Sequence, residues 1–479
     1  MGIEYQDLRE WLLKAQKMGE VKTAKSVDLE DVGRIAEIST GFESAPAVLL
    51  DEFPGYKPGY RILINPYGST ARIGLSFGFP PGEDRIGLLD HFKKKIQEVG
   101  LIAPEYVESG PVLENRLVGN DVDLYQFPIP KWHLADASPY IGTGCMVITR
   151  DPEEGWVNFA PYRNQLHDEK TVGFYISRGH HGWAHRNKYF SQGEPCPVAI
   201  VFGIDPLIFA AGMTELPWGV SEYDWAGGWR GEPIKVIKGP ITGLPIPAVA
   251  EIAIEGFSYP GKTRMEGPFG EWTGYYASDR REEPYIEVQA LYFRNDPIYL
   301  AMPPQKPPYD ADKGRQYVKS AYLYNYLTQL GIPGISNAWC YGLGGCRLLV
   351  AVAINQQYCG HSRQVGHAAY ATPIANYAGR YVVVVDDDID VTDIKDVLWA
   401  LLTRSDPATS IDIVHRATST PLDPRISPED KAAAKFFNSR AIIDATRPFE
   451  WRDQFPNAVQ PDPEYRRESL KRFGYLFEP

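Results

Sequence analysis

The stretch Arg264-Met265-Glu266-Gly267-Pro268-Phe269-Gly270-Glu271-Trp272-Thr273-Gly274-Tyr275 decides how the chain is read. Gly267-Pro268 and Phe269-Gly270 break a helix and interrupt a long strand, so the spacing predicts a loop with a fixed backbone course. In such a loop Glu266 and Glu271 can turn towards one cavity, which their offset on a regular helix or strand would not allow. Converging carboxylates do not both ionise cheaply, so one of them is a candidate acid held protonated near neutral pH. Taken alone, the stretch reads more simply as a Gly-rich surface turn with two solvated acids. What lies upstream overturns that reading.

The loop falls near the end of a region of short apolar runs separated by Gly and Pro. DLYQFPIPKWH, YIGTGCMVITRD, WVNFAPYRNQL, PCPVAIVFGIDP, AVAEIAIEGF and PYIEVQALYF follow one another between residues 122 and 293. Runs of that length and punctuation predict a β-barrel or sandwich. Before it, residues 1–115 read as a small α/β unit. Leu8, Trp11, Leu12 and Ala15 form one helical face stopped by Gly19; residues 47–50 and 61–64 are buried strands; residues 84–99 form another helix. After it, helix and strand alternate: a helix over 317–330, strands over 347–354 and 381–385, a helical pattern over 361–377, and a helix over 392–404 capped by Thr392 or Asp390. The tail from Pro421 is polar and Arg-rich, with a helix expected over 464–473. The expected fold is α+β and multidomain, divided at 1–115, 116–310 and 311–479.

At 479 residues the chain is long enough for two or three domains with real cores. Its 44% hydrophobic and 23% charged residues describe a globular protein, and a net charge of -12 argues against nucleic acid or an anionic membrane as partner. No apolar run approaches the roughly 20 residues of a membrane span, and the N-terminus reads as a mixed-charge amphipathic helix rather than a secretory signal. Five cysteines without CxxC spacing read as reduced thiols of a cytoplasmic protein.

Candidate chemistry is spread over several segments. In Trp156-Val157-Asn158-Phe159-Ala160-Pro161-Tyr162-Arg163-Asn164-Gln165, an arginine on an apolar β segment needs an anionic partner, because it cannot shed its charge. That partner is either structural or a catalytic carboxylate. His180, His181 and His185 surround glycine in a pattern that matches no standard zinc motif. Together with Asn158 and Glu222, an imidazole would make a mixed N/O set suited to Mn²⁺ or Mg²⁺, particularly if phosphate oxygens complete the shell. Asp386-Asp387-Asp388-Ile389-Asp390 reads as a strand end with solvated carboxylates feeding a capped helix. Gly342-Leu343-Gly344-Gly345 is half a dinucleotide fingerprint, with Arg347 where the third glycine would stand.

Taken together these segments resemble the UbiD family of prenylated-flavin-dependent decarboxylases. The likeness is carried by DLYQFPIPKWH with YIGT, Asn158 to Arg163, the His181 loop followed by PVAIV, SEYDWAGGWRGEP around Glu222, EGPFGE, and VDDDIDVTDIKDVLWALLTR. The resemblance implies an N-terminal α/β unit, a split-barrel flavin-binding domain and a C-terminal oligomerisation domain, in a homodimer or higher homo-oligomer. It implies prenylated FMN, supplied by a separate flavin prenyltransferase and contacted by Asn158, Tyr162, Arg163, Gln165, His181, Glu222 and Arg380. Asn158, His181 and Glu222 would hold the divalent metal, with His180 an alternative to His181, and Trp156 would offer its backbone to a potassium ion. Arg163, Glu266 and Glu271 match the family's Glu-Arg-Glu network.

Loss of CO₂ from an sp² carbon requires an electron sink, which a cofactor supplies. The resemblance implies a covalent adduct with the modified flavin, protonation by Glu271, and Arg163 paired with Glu266 to tune both acids. The implied activity is reversible decarboxylation of an aromatic or heteroaromatic acid: indole, pyrrole, furan, hydroxybenzoate or cinnamate type. Lys306 among prolines either pairs with a substrate carboxylate or lies at the surface. Two other classes remain: a non-catalytic flavin- or phosphate-binding subunit of a larger carboxylase, and a hydrolase using Asn158, His181 and Glu222 with metal alone.

Overall fold

The computed structural model describes residues 2–277, 279–459 and 462–476. Leu8, Trp11, Leu12 and Ala15 are buried along one face of the helix Leu8–Lys17, as their spacing predicts. Asp7 caps its first turn, and Gly19 leaves through left-handed backbone at φ 75°. Ala47–Asp51 pairs parallel with Val21–Lys25 and antiparallel with Arg61–Ile64. The fourth strand of this sheet, Ile298–Ala301, runs parallel beside Arg61–Ile64 and arrives from beyond the barrel. Backbone pairing also crosses the expected boundary at 115: Glu105–Val107 pairs with Lys235–Lys238, and Asn115–Val118 with Arg281–Phe293. The apolar run of a strand shows that it is buried, but not which sheet edge it completes.

The central sheet has ten strands. Its main path runs Tyr140–Gly142, Asn164–Asp168, Thr171–Gly173, Arg281–Phe293, Ile252–Ser258, Cys196–Phe202, Cys145–Arg150, Val157–Ala160. Thr263–Glu266 adds to Arg281–Phe293 as a separate ribbon. Tyr140–Gly142 and Cys145–Arg150 are neighbours in sequence yet stand first and next to last on the path, so the sheet must curl back on itself. Val157–Ala160 and Asn164–Asp168, likewise neighbours in sequence, stand last and second. Pro161, Tyr162 and Arg163 therefore bridge the seam of a curled sheet, the split barrel that was expected.

The last unit is a five-stranded sheet in the order Ile335–Cys340, Leu349–Ile354, Tyr381–Asp386, Phe437–Ala445, Ile411–Thr418. The helix Asp310–Gln329 leads into it, starting a full turn and more before the expected residue 317. In the helix Ile394–Arg404 the cap is Asp393, rather than Thr392 or Asp390. Asp390 instead accepts from the N–H and hydroxyl of Thr392. Asp387, Asp388 and Asp390 are exposed, as expected of solvated carboxylates, whereas Asp386 is buried; Arg404 donates to Asp386 at 2.8 Å and to Asp388 at 2.9 Å, because a buried arginine must find carboxylates. The tail forms the expected helix, Pro463–Phe473. All five cysteines are free. Among the described residues no helix is long and apolar enough to cross a membrane.

Candidate active site

Arg163 is held at the seam with its side chain almost fully buried. Its Nε and one terminal nitrogen donate to the two oxygens of Glu266 at 2.8 and 2.9 Å, and its other terminal nitrogen donates to Glu271. The guanidinium also lies 4.0 Å from the ring centre of Tyr175. Glu266 ends the strand Thr263–Glu266, and Gly267 turns the chain at φ 82° where a side chain would be strained. Phe269 packs against Tyr140 at 4.2 Å between ring centres, and the loop then brings Glu271 to the far side of Arg163. The expected convergence of the two carboxylates takes place around this shared arginine.

The electrostatics follow. Burial pushes the Glu266 carboxyl up. The charge of Arg163 and the hydrogen bonds from Arg163 and Tyr140 outweigh this and hold it below the usual carboxylate range. Tyr140 donates its hydroxyl to Glu266 at 3.1 Å. Glu266 is thus held in its ionised form. Glu271 has one turn hydrogen bond on each side: its N–H donates to the Tyr275 carbonyl at 3.1 Å, and its carbonyl accepts from Gly274 at 2.8 Å.

Arg163 and Glu271 face a cavity of about 390 Å³, within the roughly 300–1,000 Å³ range of small-molecule sites. Asn158, Tyr162, His180, His181 and Glu222 line the same cavity. Glu222, the first residue of the helix Glu222–Arg230, is buried and accepts the Phe159 N–H at 2.8 Å. Burial pushes its carboxyl up to about 8. The Asn158 side-chain amide nitrogen is buried with no partner. His181 opens the helix His181–Ser191, and burial holds its imidazole below the usual range, in the neutral form that ligates metals. His180 is lowered to about 4 by burial and by the nearby charge of Arg347.

A buried carboxylate without a cation and a buried amide without a partner fit a site built around a divalent ion. Among the described residues no cluster of three or more His, Cys, Asp or Glu side chains could hold a metal. A metal at Asn158, His181 and Glu222 would therefore depend on further ligands from whatever anion enters the cavity.

Three candidate residues are not brought to the cavity. The Gln165 side chain is spent behind it, accepting from Gly267 N–H at 3.0 Å and donating to Ser138 at 2.8 Å. Trp156 packs edge-on against His181 outside the cavity lining, and its carbonyl accepts from Asp151 N–H at 2.9 Å. Arg380 is engaged by Asp423 at 2.6 Å. Lys306 is exposed and outside the cavity lining.

One group was missed. Arg315 and Arg347 also line the cavity, together with Glu215, which pairs with Arg347 and with Lys319 at 2.8 Å. Burial pushes Glu215 up, but Arg347, Lys319 and Arg315 outweigh it and hold it at about 2. The signal was Arg347 itself, a charge directly before an apolar strand.

Two family models match the chain: the 3-octaprenyl-4-hydroxybenzoate carboxy-lyase Rift-related domain over residues 105–307, and the C-terminal domain of the same carboxy-lyase over residues 315–445. A pyrrole-2-carboxylic acid decarboxylase from Pseudomonas aeruginosa is 31% identical over 87% of this chain and 86% of its own length. Among solved structures, vanillic acid decarboxylase from Sedimentibacter hydroxybenzoicus in its open form superposes with a TM-score of 0.84 at 25% identity, covering 99% of this chain and 100% of that one. An evolved dimeric form of the UbiD-class enzyme HmfF from Pelotomaculum thermopropionicum, in complex with prFMN, gives 0.80 at 26% identity, covering 96% and 98%. With its curled sheet, its Glu-Arg-Glu cluster and these matches over nearly its whole length, the chain belongs to the UbiD family of carboxy-lyases.

Proposed function

We propose that the protein catalyses non-oxidative decarboxylation of an aromatic or heteroaromatic carboxylic acid with prenylated FMN as cofactor and Glu271 as proton donor. The observation that carries this reading is Arg163 held between Glu266 and Glu271 at the wall of the cavity. Bound there, the modified flavin would supply the electron sink that loss of CO₂ from an sp² carbon demands. Asn158, His181 and Glu222 would hold Mn²⁺ or Mg²⁺ against the cofactor phosphate. Arg163, fixed by Glu266, keeps a permanent positive charge beside Glu271 and orients the substrate carboxylate. Glu271 delivers a proton to the carbon that has lost CO₂ and recovers one from solvent, so the balance is one carboxylate and one proton in, CO₂ and the arene out. The aromatic lining from Tyr162, Tyr175, Phe269 and Tyr377 supports a flat ring as substrate.

Protein co-expressed with a flavin prenyltransferase tests the reading by its absorption spectrum, the mass of its bound flavin and CO₂ release from indole, pyrrole, furan, hydroxybenzoate and cinnamate acids. Bound prenylated FMN with turnover of one ring class is the expected result. Glu271→Gln should keep the cofactor and lose turnover. Plain FMN with no CO₂ release from any acid would favour a binding subunit instead.

A further inference from the structure

Behind the Glu271 loop lies a buried acid that the reaction does not use. Asp136 is 1% exposed. One of its oxygens accepts the Gly270 N–H at 3.1 Å and the other accepts the His133 N–H at 3.0 Å. The His133 ring turns Nδ1 to the same carboxylate at 3.0 Å and donates from Nε2 to the Pro304 carbonyl at 2.7 Å. One residue further on, the Ala137 N–H donates to the Pro268 carbonyl at 3.1 Å. The Pro268–Phe269 and Phe269–Gly270 peptide planes, just before Glu271, are thus pinned from one side by a single short segment. The ring of His133 lies so close that a Cβ built on Gly270 would meet it at 2.8 Å. Pro304, at the other end of the imidazole, lines the cavity with Glu271.

We propose that Asp136 and His133 are positioning residues for Glu271, tying its loop to the Pro304 segment so that its carboxylate stands at a fixed place in the cavity. The proposal rests on the reading of Glu271 as proton donor. Neither side chain lines the cavity, so both act through the backbone of Gly270 and Pro304. Asp136 has no other hydrogen-bonding duty among the described residues than His133 and Gly270. Displacement of a reacting group by about 1 Å costs on the order of 100-fold in rate, which sets the size of the expected effect.

The test uses holoenzyme made with a flavin prenyltransferase and the acid it turns over, with wild type, Asp136→Ala, Asp136→Asn and Glu271→Gln side by side. In Asp136→Ala, hydrogen exchange of the peptide spanning residues 266–275 should rise at least about tenfold, because Gly270 loses its acceptor. Its kcat should fall on the order of 100-fold with KM within about twofold. Asp136→Asn keeps an acceptor for Gly270 and should recover most of kcat. Unchanged kcat and unchanged exchange in Asp136→Ala would overturn the proposal, as would an equal loss in both variants. If Asp136→Ala does not fold, His133→Leu against His133→Gln decides: the first should lower kcat and the second, which can still reach Pro304, should restore it, and no difference overturns the clasp. Glu271→Gln separates the two readings. Wild-type turnover there removes the proton-donor assignment, while the exchange measurement judges the clasp by itself.

Discussion

Arg163 and Glu266 meet through two parallel hydrogen bonds, 2.8 and 2.9 Å long, with both side chains almost wholly out of water. Fork-to-fork geometry of this kind is available to arginine and not to lysine. It holds the guanidinium in one plane, so that its remaining nitrogen is left for Glu271.

Replacing Arg163 by alanine should therefore do more than remove a charge. It leaves two buried carboxylates without their cation, and loss of one member of a buried pair costs about 3–5 kcal/mol. Urea unfolding should report that loss, and CO₂ release should vanish. Arg163→Lys should restore part of the stability without restoring turnover.

The pH dependence of stability should carry the mark of Glu266. Its folded pKa lies below the ordinary value of 4.5, so its contribution is present above that value and is lost as pH falls through the lower, folded one. Unfolding free energies taken from pH 7 downwards should decline more for wild type than for Glu266→Gln. At pH 7 the variant should be the weaker of the two, and the gap should narrow in acid. A gap that stays constant would show that Glu266 is not held by charge.

The donor set at Asn158, His181 and Glu222 predicts stabilisation by metal. Manganese in large excess, together with FMN, should raise the melting temperature of wild type; occupancy at about 100 times Kd is worth about 2.7 kcal/mol. Glu222→Gln and Asn158→Ala should lose most of that rise and retain less flavin on gel filtration. Equal stabilisation of all three proteins would place the metal elsewhere.

Gly270→Ala tests how tightly the proton-donor loop is seated. A methyl group there meets the His133 ring at 2.8 Å, and that ring is fixed at both nitrogens, so the loop rather than the ring should give way. Turnover should drop on the order of 100-fold with the protein still folded. Wild-type turnover would show that the loop has slack.

Much of this was readable in the sequence where a single residue carried an unavoidable physical demand. Arg163 cannot lose its charge, so an anionic partner was required, and the Gly-Pro turn after Glu266 left that acid and Glu271 free to converge. The helix Leu8–Lys17 was equally plain, because its buried face repeats locally. The role of Arg347 was masked: its charge before an apolar strand was visible, but the Gly-rich run before it resembles a nucleotide fingerprint, and its partner Glu215 lies far back in the chain. Asp136 was hidden for a related reason, since a short acid in a polar loop looks solvated until its partner at Gly270 is known. Gln165 and Arg380 show the limit of placing single residues on a strand or its end. Neighbours along a strand point to opposite faces, so a small misplacement moves a side chain out of the cavity.

The strand Ile298–Ala301, lying parallel beside Arg61–Ile64, sets an order of events during synthesis. When the first sheet leaves the ribosome its outer edge has no neighbour, and none exists until the entire curled sheet has been translated. At about 5–20 residues per second that interval lasts on the order of tens of seconds. Throughout it the apolar Arg61–Ile64 edge is open to other nascent chains. A fragment ending near residue 115 would keep that open edge permanently, so dissecting the protein at the apparent end of its first unit should yield an aggregating piece rather than a small folded domain.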